Sequence, residues 1–174
     1  MENKRIVIIG CGGSGKSTLA KQLGKITGIP VIHLDQLFWR QGWTHVSREE
    51  FDTLLQNELV KETWIIDGDY DRTIEERLNY CDMVIYLDVP RFVCLYSVIK
   101  RMILNLGRTR SDMGAGCPEK IDWEFVEWIW NFNKTHRKKY LELLTNVKDK
   151  EIIILHRRSN CKKLLNEFNN SINV

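Results

Sequence analysis

Short apolar runs rich in β-branched residues recur along the chain, and longer stretches with helical spacing separate them. These runs cover residues 5–9, 30–34, 63–67, 83–88 and 151–155. They are almost continuously apolar, as expected of strands that helices cover on both faces, whereas a half-exposed strand alternates. The pattern therefore predicts an α/β fold with a five-stranded parallel sheet.

Two helix starts and one long loop can also be predicted. Ser47 and Glu50 have the spacing of a capping box ahead of FDTLLQNELV. Pro90 stands where a proline suits the first turn of a helix through RFVCLYSVIKRMILNL. The segment 107–120 contains several glycines and lies between two long helices. A loop of this length inside a compact domain is usually functional.

The residues between the first strand and the first helix read GCGGSGKST, which fits the phosphate-loop pattern G-x-x-x-x-G-K-[ST]. Its glycines allow backbone N–H groups and the helix N-terminus to surround a β-phosphate. Lys16 can then reach the β- and γ-phosphate oxygens, and the Ser17 hydroxyl can bind Mg²⁺. We expect ATP and Mg²⁺ as cofactors. The predicted nucleotide-binding residues are Gly10, Gly12, Gly13, Ser14, Gly15, Lys16, Ser17 and Thr18.

Two predicted strands end in an aspartate that could steady Mg²⁺ through water, Asp67 and Asp88. Asp67 is favoured, because Gly68 lets the chain turn sharply where the nucleotide would lie. Asp88 precedes Val89 and Pro90, and a helix-start residue explains it better than a metal ligand does.

Composition and charge narrow the class of protein. With 174 residues, 43% hydrophobic and 28% charged, the chain is expected to form one soluble domain over 1–174. A net charge of +3 does not by itself support DNA as a partner. The five cysteines are widely spaced and lack a C-x-x-C pair, which argues against a disulfide framework or zinc site. With no apolar run of membrane-spanning length, we expect a cytoplasmic protein without a membrane partner.

The remaining motifs separate a kinase from a GTPase switch. The nearest pieces to the guanine-reading N-K-x-D and to D-x-x-G are NKTH and DGDY, and neither fits. A kinase needs an arginine-bearing cover that excludes water and neutralises the transferring phosphoryl group. Residues 91–110 contain five cations and no acidic residue, and they lead into the loop 107–120 as a candidate lid. The alternative is a nucleotide-binding regulator that affects DNA topology through this basic stretch.

Further motifs resemble a known family. They are HLDQLFW, WIIDGDY, YLDVPRFVCL, RSDM followed by GCPE, and DWEFVEWIWNF. Together with the phosphate loop they resemble the DNA topology modulation proteins, P-loop kinases related to adenylate kinase. The resemblance implies that Lys16 and Ser17 carry phosphate and Mg²⁺ and that Asp67 is the metal-water carboxylate. It also implies that three arginines clamp the phosphoryl group: Arg101, Arg110 and Arg137.

The chain departs from adenylate kinase on the base and acceptor sides. Ser97 stands where adenylate kinases carry an arginine near the adenine. Asp69, Tyr70 and Asp71 stand where they have Phe-Pro-Arg, whose arginine grips the phosphate of AMP. An acceptor phosphate would therefore meet carboxylates at this turn.

Asp35 follows the second predicted strand, at the edge of the sheet where ligands bind in open α/β folds. A carboxylate there can accept a hydrogen bond from an acceptor hydroxyl and hold it in line with the γ-phosphate. With Trp39, Trp43 and Tyr70 nearby, the segment 34–62 predicts a pocket for a neutral or cationic hydroxyl-bearing acceptor, such as a nucleoside or sugar. The competing interpretations are packing for the two tryptophans and helix capping for Asp35. Core or lid-hinge packing is predicted for Trp123, Trp128 and Trp130.

Overall fold

The computed structural model describes residues 4–172 and contains two sheets. The strands of the main sheet are β1 (Arg5–Gly10), β2 (Val31–His33), β5 (Trp64–Asp67), β6 (Met83–Leu87) and β7 (Glu151–Leu155). They are parallel and lie in the order β2-β5-β1-β6-β7. A separate antiparallel hairpin consists of β3 (Trp39–Arg40) and β4 (Thr44–His45). The predicted five-stranded parallel sheet is confirmed.

Helices connect the strands. They are α1 (Lys16–Thr27), α2 (Leu34–Phe38), α3 (Arg48–Leu59), α4 (Ile74–Tyr80), α5 (Arg91–Leu104), α6 (Trp123–Phe132), α7 (Lys138–Asn146) and α8 (Arg158–Ile172). The predicted capping box at the start of α3 has formed, since the Ser47 hydroxyl accepts the Glu50 backbone N–H at 3.1 Å. The helix predicted after Pro90 begins at Arg91.

Helices cover both faces of the sheet. Ile6, Val7, Ile8 and Ile9 of the central strand β1 are all 0% exposed. Successive side chains of a strand point to opposite faces, so burial of four in a row requires packing on both sides. This is the physical reason for the continuous apolar runs in the sequence.

The parallel strands bring three functional segments to one edge of the sheet. β1 ends at Gly10 and leads into the phosphate loop, β2 ends at His33, and β5 ends at Asp67. In the sheet register, Asp67 lies beside Ile8 of β1 and beside His33 of β2. The chain after each of these strands therefore contributes to the same crevice.

The tryptophans of α6 do not all lie where they were predicted. Trp123 is 73% exposed and Trp130 is 43% exposed, so the prediction of core packing is wrong for both, while Trp128 is half-buried. Ile129 and Phe132 are the residues that α6 buries in the core. The three tryptophans fall on more than one face of α6, so their spacing does not indicate which face turns inward. Within residues 4–172, no helix combines the length and hydrophobicity needed to cross a membrane.

Candidate active site

A cleft of about 1060 Å³ opens at the carboxyl edge of the sheet. The phosphate loop and the segments after β2 and β5 all contribute to its lining. The loop 107–120 contributes Arg110, Asp112 and Glu119 to its lining, and α5 contributes Ser97 and Arg101. Most residues with a predicted role thus surround one cavity.

The phosphate loop wraps tightly around the start of α1. Gly13 and Gly15 have φ values of +77° and +110°, in the left-handed region that favours glycine. A Cβ on Gly13 would also lie 2.5 Å from the carbonyl oxygen of Cys94. A side chain at Gly13 would therefore push the loop away from α5.

Lys16 lies against the beginning of this loop. Its Nζ donates hydrogen bonds to the carbonyl oxygens of Gly10 at 2.5 Å and Cys11 at 2.9 Å. Lys16, Ser17 and Thr18 all line the cleft. Gly10 itself packs against β6, where an added Cβ would lie 2.6 Å from the Leu87 carbonyl oxygen.

Ser17 and Asp67, the two residues predicted to hold Mg²⁺, are in direct contact. The Ser17 hydroxyl donates to Oδ2 of Asp67 at 2.6 Å. The other carboxylate oxygen, Oδ1, is hydrogen-bonded to Nδ1 of His33. Asp67 and His33 are 3% and 6% exposed, so this arrangement is shielded from water on the sheet side. No role was predicted for His33 from the sequence. It is the residue that immediately precedes α2.

Asp35 lines the same cleft from the first turn of α2. Its Oδ1 accepts a hydrogen bond from the Tyr70 hydroxyl at 2.9 Å. Burial raises the pKa of Asp35 above the ordinary aspartate range, and the Tyr70 hydrogen bond opposes that shift. Tyr70 is held in turn by stacking on Phe51, with ring centroids 5.0 Å apart. Asp35 is therefore a half-buried carboxylate whose side chain is fixed at one oxygen.

Asp69 adds a second carboxylate to this side of the cleft. Burial raises the pKa of Asp69, and its Oδ1 has no hydrogen-bond partner among residues 4–172. A carboxylate in a desolvated position with one unpaired oxygen disfavours any further negative charge nearby.

The turn that carries Asp69 is fixed by a buried arginine. Arg77 is 0% exposed and donates to the carbonyl oxygens of Gly68 at 3.0 Å, Asp69 at 2.9 Å and Tyr70 at 3.0 Å. Burial lowers the pKa of Arg77 to about 10. Arg77 thus stabilises the DGDY turn from beneath.

The arginines predicted to clamp a phosphoryl group, Arg101 and Arg110, share one carboxylate. Nε of Arg101 lies 3.1 Å from Oε1 of Glu119, and Nε of Arg110 lies 3.0 Å from Oε2. Arg110 also bonds Asp112 at 2.8 Å, and Lys21 of α1 bonds the other oxygen of Asp112 at 2.9 Å. Burial alone would raise the pKa of Asp112, but Arg110 and Lys21 together hold it below its usual range. This chain of ion pairs joins α5, the loop 107–120 and α1.

Arg137 lies outside the cleft. It forms a two-point ion pair with Asp88, at 2.7 Å and 2.8 Å, and His156 also contacts Asp88 at 3.2 Å. The structure therefore does not bring Arg137 together with Arg101 and Arg110. Nor does Asp88 cap a helix as the sequence suggested, because the N-cap residue of α5 is Pro90 and makes no side-chain cap.

An arginine that sequence reasoning missed does lie at the phosphate loop. Nε of Arg158 donates to the carbonyl oxygen of Ser14 at 3.2 Å, and its Nη2 donates to that of Gly13. Arg158 lines the cleft from the first turn of α8. No local sequence motif identifies Arg158, because α8 comes close to the phosphate loop only in the folded structure.

The loop 107–120 is docked on the hairpin that follows α2. The indole N–H of Trp43 donates to the Pro118 carbonyl oxygen at 3.0 Å, and the Gly42 N–H donates to that of Gly116 at 2.9 Å. Trp43 has a φ of +62°, a conformation that is strained for a residue with a side chain. The predicted acceptor segment 34–62 and the predicted lid 107–120 are thus held together by hydrogen bonds.

Replacement of Trp43 by Phe should loosen this joint. Trp43→Phe removes the indole N–H but keeps an aromatic ring, so it leaves the Pro118 carbonyl without its donor. We expect trypsin to cleave after Arg108 and Arg110 roughly fivefold faster, the factor for a hydrogen bond worth about 1 kcal/mol. The matched control is Trp130→Phe, on α6 away from the joint. Equal cleavage of the two variants would contradict the role of the hydrogen bond.

No protein-family model matches this chain, and no curated protein matches it either. Solved structures do match over 98% of its length. Shikimate kinase from Acinetobacter baumannii in complex with shikimate has 17% identity and a TM-score of 0.61, with 93% of that chain covered. Deoxyadenosine kinase from M. mycoides with bound dATP has 19% identity and a TM-score of 0.57, with 100% covered. Shikimate kinase from Bacteroides thetaiotaomicron has 17% identity and a TM-score of 0.55, with 99% covered.

At these identities the likeness shows the fold: the chain has the α/β fold of the P-loop kinases. Membership of the DNA topology modulation family, and a specific relation to adenylate kinase, stay predictions from the sequence motifs.

Proposed function

We propose that the protein is a P-loop kinase that transfers the γ-phosphoryl group of ATP to a hydroxyl group of a small acceptor. The observation that supports this most strongly is the composition of the cleft at the carboxyl edge of the sheet. A phosphate loop, the Asp35 carboxylate and two arginines, Arg101 and Arg110, all line it. Phosphoryl transfer depends on positioning and charge neutralisation, and these are the groups that supply both.

On the nucleotide side, the N–H groups of residues 10–18 and the Lys16 ammonium would hold the phosphates. The Ser17 hydroxyl and the Asp67 carboxylate are hard oxygen donors that fit Mg²⁺, which usually takes one or two protein oxygens and completes its shell with phosphate and water. When bound there, Mg²⁺ neutralises charge on the β- and γ-phosphates. His33 would orient Asp67 through its hydrogen bond to the second carboxylate oxygen.

On the acceptor side, Asp35 would accept the hydrogen of the attacking hydroxyl. Tyr70 occupies Oδ1 of Asp35 and so leaves Oδ2 for the acceptor. The raised pKa of Asp35 makes its carboxylate a stronger base than an exposed aspartate.

Arg101 and Arg110 would stabilise the charge that develops on the transferring phosphoryl group. Both lie in the cleft already and are held at Glu119. In this proposal, Arg137 contributes only if its ion pair with Asp88 opens.

The acceptor is proposed to lack a phosphate at the Asp35 end of the cleft. Asp35 and Asp69 line that end together with the aromatic rings of Trp39 and Tyr70. Within residues 4–172, the arginines nearest in sequence form no ion pair with these two acids. Arg40 pairs with Glu50, Arg72 pairs with Asp52, and Arg77 is buried on backbone carbonyls.

The test of this proposal is ADP release from ATP and Mg²⁺ with a panel of nucleosides, nucleoside monophosphates and small sugars. We expect the best nucleoside or sugar to be turned over at least about tenfold faster than AMP, because like charges in a desolvated cleft cost several kcal/mol. Turnover of AMP comparable to the best neutral acceptor would contradict the acceptor class. Absence of acceptor-dependent ADP release across the panel would count against the kinase itself.

The geometry does not favour the alternative of a regulator that contacts DNA through residues 91–110. Arg91 lies over the Trp130 ring at 4.2 Å, and Arg101 and Arg110 are paired in the cleft. Cations that lie within one stretch of the sequence are thus dispersed over different parts of the fold. If DNA did bind through this stretch, its affinity would fall steeply with salt concentration.

A further inference from the structure

The outer face of α5 is strongly apolar. Phe92, Tyr96, Ile99 and Ile103 recur at helical spacing and form one stripe along this helix. They are 63%, 66%, 43% and 68% exposed in the described part of the chain. The opposite face of α5 buries Cys94, Val98 and Met102 in the core. A helix that is apolar on both sides and solvated on one needs a further partner.

The stripe continues onto α6. The Phe92 and Trp130 rings are in edge contact, with centroids 5.8 Å apart. Trp130 and Trp123 lie on the exposed side of α6, with Glu127 between them on the same helical face. The two helices therefore share one surface, which we call the α5–α6 face. It consists of Phe92, Tyr96, Ile99, Ile103, Trp123 and Trp130.

The α5–α6 face has the size of an interface between proteins. At about 200 Å² for a large side chain, the exposed fractions of its residues amount to roughly 700 Å². The largest apolar patch on a typical monomer is about 300–600 Å², and each partner in a standard interface contributes about 800 Å². The α5–α6 face is larger than the first range and approaches the second value.

The charges on the two helices are complementary to each other. Every charged residue of α5 is a cation, and every charged residue of α6 is an anion, Glu124 or Glu127. Within residues 4–172, Lys100, Glu124 and Glu127 are exposed and form no ion pair. A twofold axis that places α5 of one copy on α6 of another brings opposite charges together twice.

We propose that the α5–α6 face binds the same face of a second copy of this chain, with α5 of each copy on α6 of the other. Lys100 of each copy then lies opposite Glu127 of the other, at the border of the apolar contact. The proposal does not depend on the kinase assignment, because the face lies outside the cleft.

The test begins with the mass of the wild-type protein, by sedimentation or light scattering over a roughly hundredfold concentration range. We expect twice the 20.5 kDa of the single chain. Ile103→Lys should yield the single-chain mass, since it places a charge within the apolar contact. The control is Val60→Lys, which changes a side chain that is 65% exposed at the end of α3. It should leave the dimer intact.

An exchange of the charges at Lys100 and Glu127 distinguishes the loss of a specific dimer contact from a general loss of structure. Lys100→Glu and Glu127→Lys should each weaken the dimer roughly tenfold, because each places like charges opposite one another twice. The double variant restores opposite charges and should return the dissociation constant to within about threefold of wild type. Circular dichroism of each variant checks the fold.

Three results would overturn the proposal. They are a wild-type protein with the single-chain mass throughout, an Ile103→Lys variant that stays dimeric, and a double variant as weak as the single ones. The first result would mean that the partner of the α5–α6 face is a different protein.

Discussion

Lys16→Ala is expected to lower acceptor-dependent ADP release by about 10²-fold or more while the fold is retained. The lysine would supply a preorganised positive charge at the β- and γ-phosphates. Its present contacts are two backbone carbonyls of its own loop, so its loss removes no partner from the core. Thermal unfolding should therefore change little.

The measurement is steady-state ADP release, together with the melting temperature of each variant. Lys25→Ala, at the exposed far end of the same helix α1, is the matched control and should keep wild-type turnover. Unchanged turnover in Lys16→Ala would contradict the assignment of the phosphate loop to phosphoryl transfer.

Asp35→Asn is expected to reduce transfer to the best neutral acceptor by roughly 10²-fold while ATP binding stays intact. The amide can still accept the Tyr70 hydrogen bond, but it cannot take a proton from the acceptor hydroxyl. ATP affinity is expected to hold because Asp35 belongs to α2 and, within residues 4–172, its side chain is hydrogen-bonded to Tyr70 and not to the phosphate loop. Asp149→Asn, at a carboxylate 77% exposed to solvent, serves as the control.

The pH dependence and stability of this variant provide a second test. Because burial raises the pKa of Asp35, the wild-type rate should begin to fall, as pH decreases, above the usual aspartate range. This decline should disappear in Asp35→Asn. A raised pKa in the folded state also means that the native protein binds the proton more readily than the unfolded chain, so ionised Asp35 destabilises the fold at neutral pH.

Asp35→Asn should therefore melt no lower than wild type at pH 7 even though it is less active. A fully active variant would mean that the carboxylate points away from the acceptor. Loss of activity together with a lower melting temperature would indicate a structural role.

The elements that could be predicted from the sequence are those whose information is local. The apolar runs of the sheet, the capping box at Ser47 and the phosphate loop before α1 each lie within a short stretch of chain. The contact between Ser17 and Asp67 joins residues 50 apart, yet it could be anticipated. Parallel strands end at the same edge of the sheet, so a motif after one strand meets the last residue of the next.

Other parts of the candidate site depend on pairings that no local pattern encodes. Lys21 and Asp112 are 91 residues apart, and Arg158 and Ser14 are 144 apart. The charged residues 91–110 looked uniform in the sequence, but the fold sends Arg101 and Arg110 into the cleft. Arg137 was predicted to share their role but instead forms an ion pair with Asp88.

The sequence by itself determined the five strands of the main sheet and the helices that follow the phosphate loop, Ser47 and Pro90, and it predicted the chemistry of that loop, because helix and strand periodicity and glycine geometry act over a few residues. Only the tertiary structure decided which face of α6 is buried, which arginines share Glu119, and that loop 107–120 is docked on Trp43. The physical reason is that a helix pattern indicates an apolar side but not the neighbour that covers it. An ion pair between distant segments likewise exists only after the sheet order has brought those segments together.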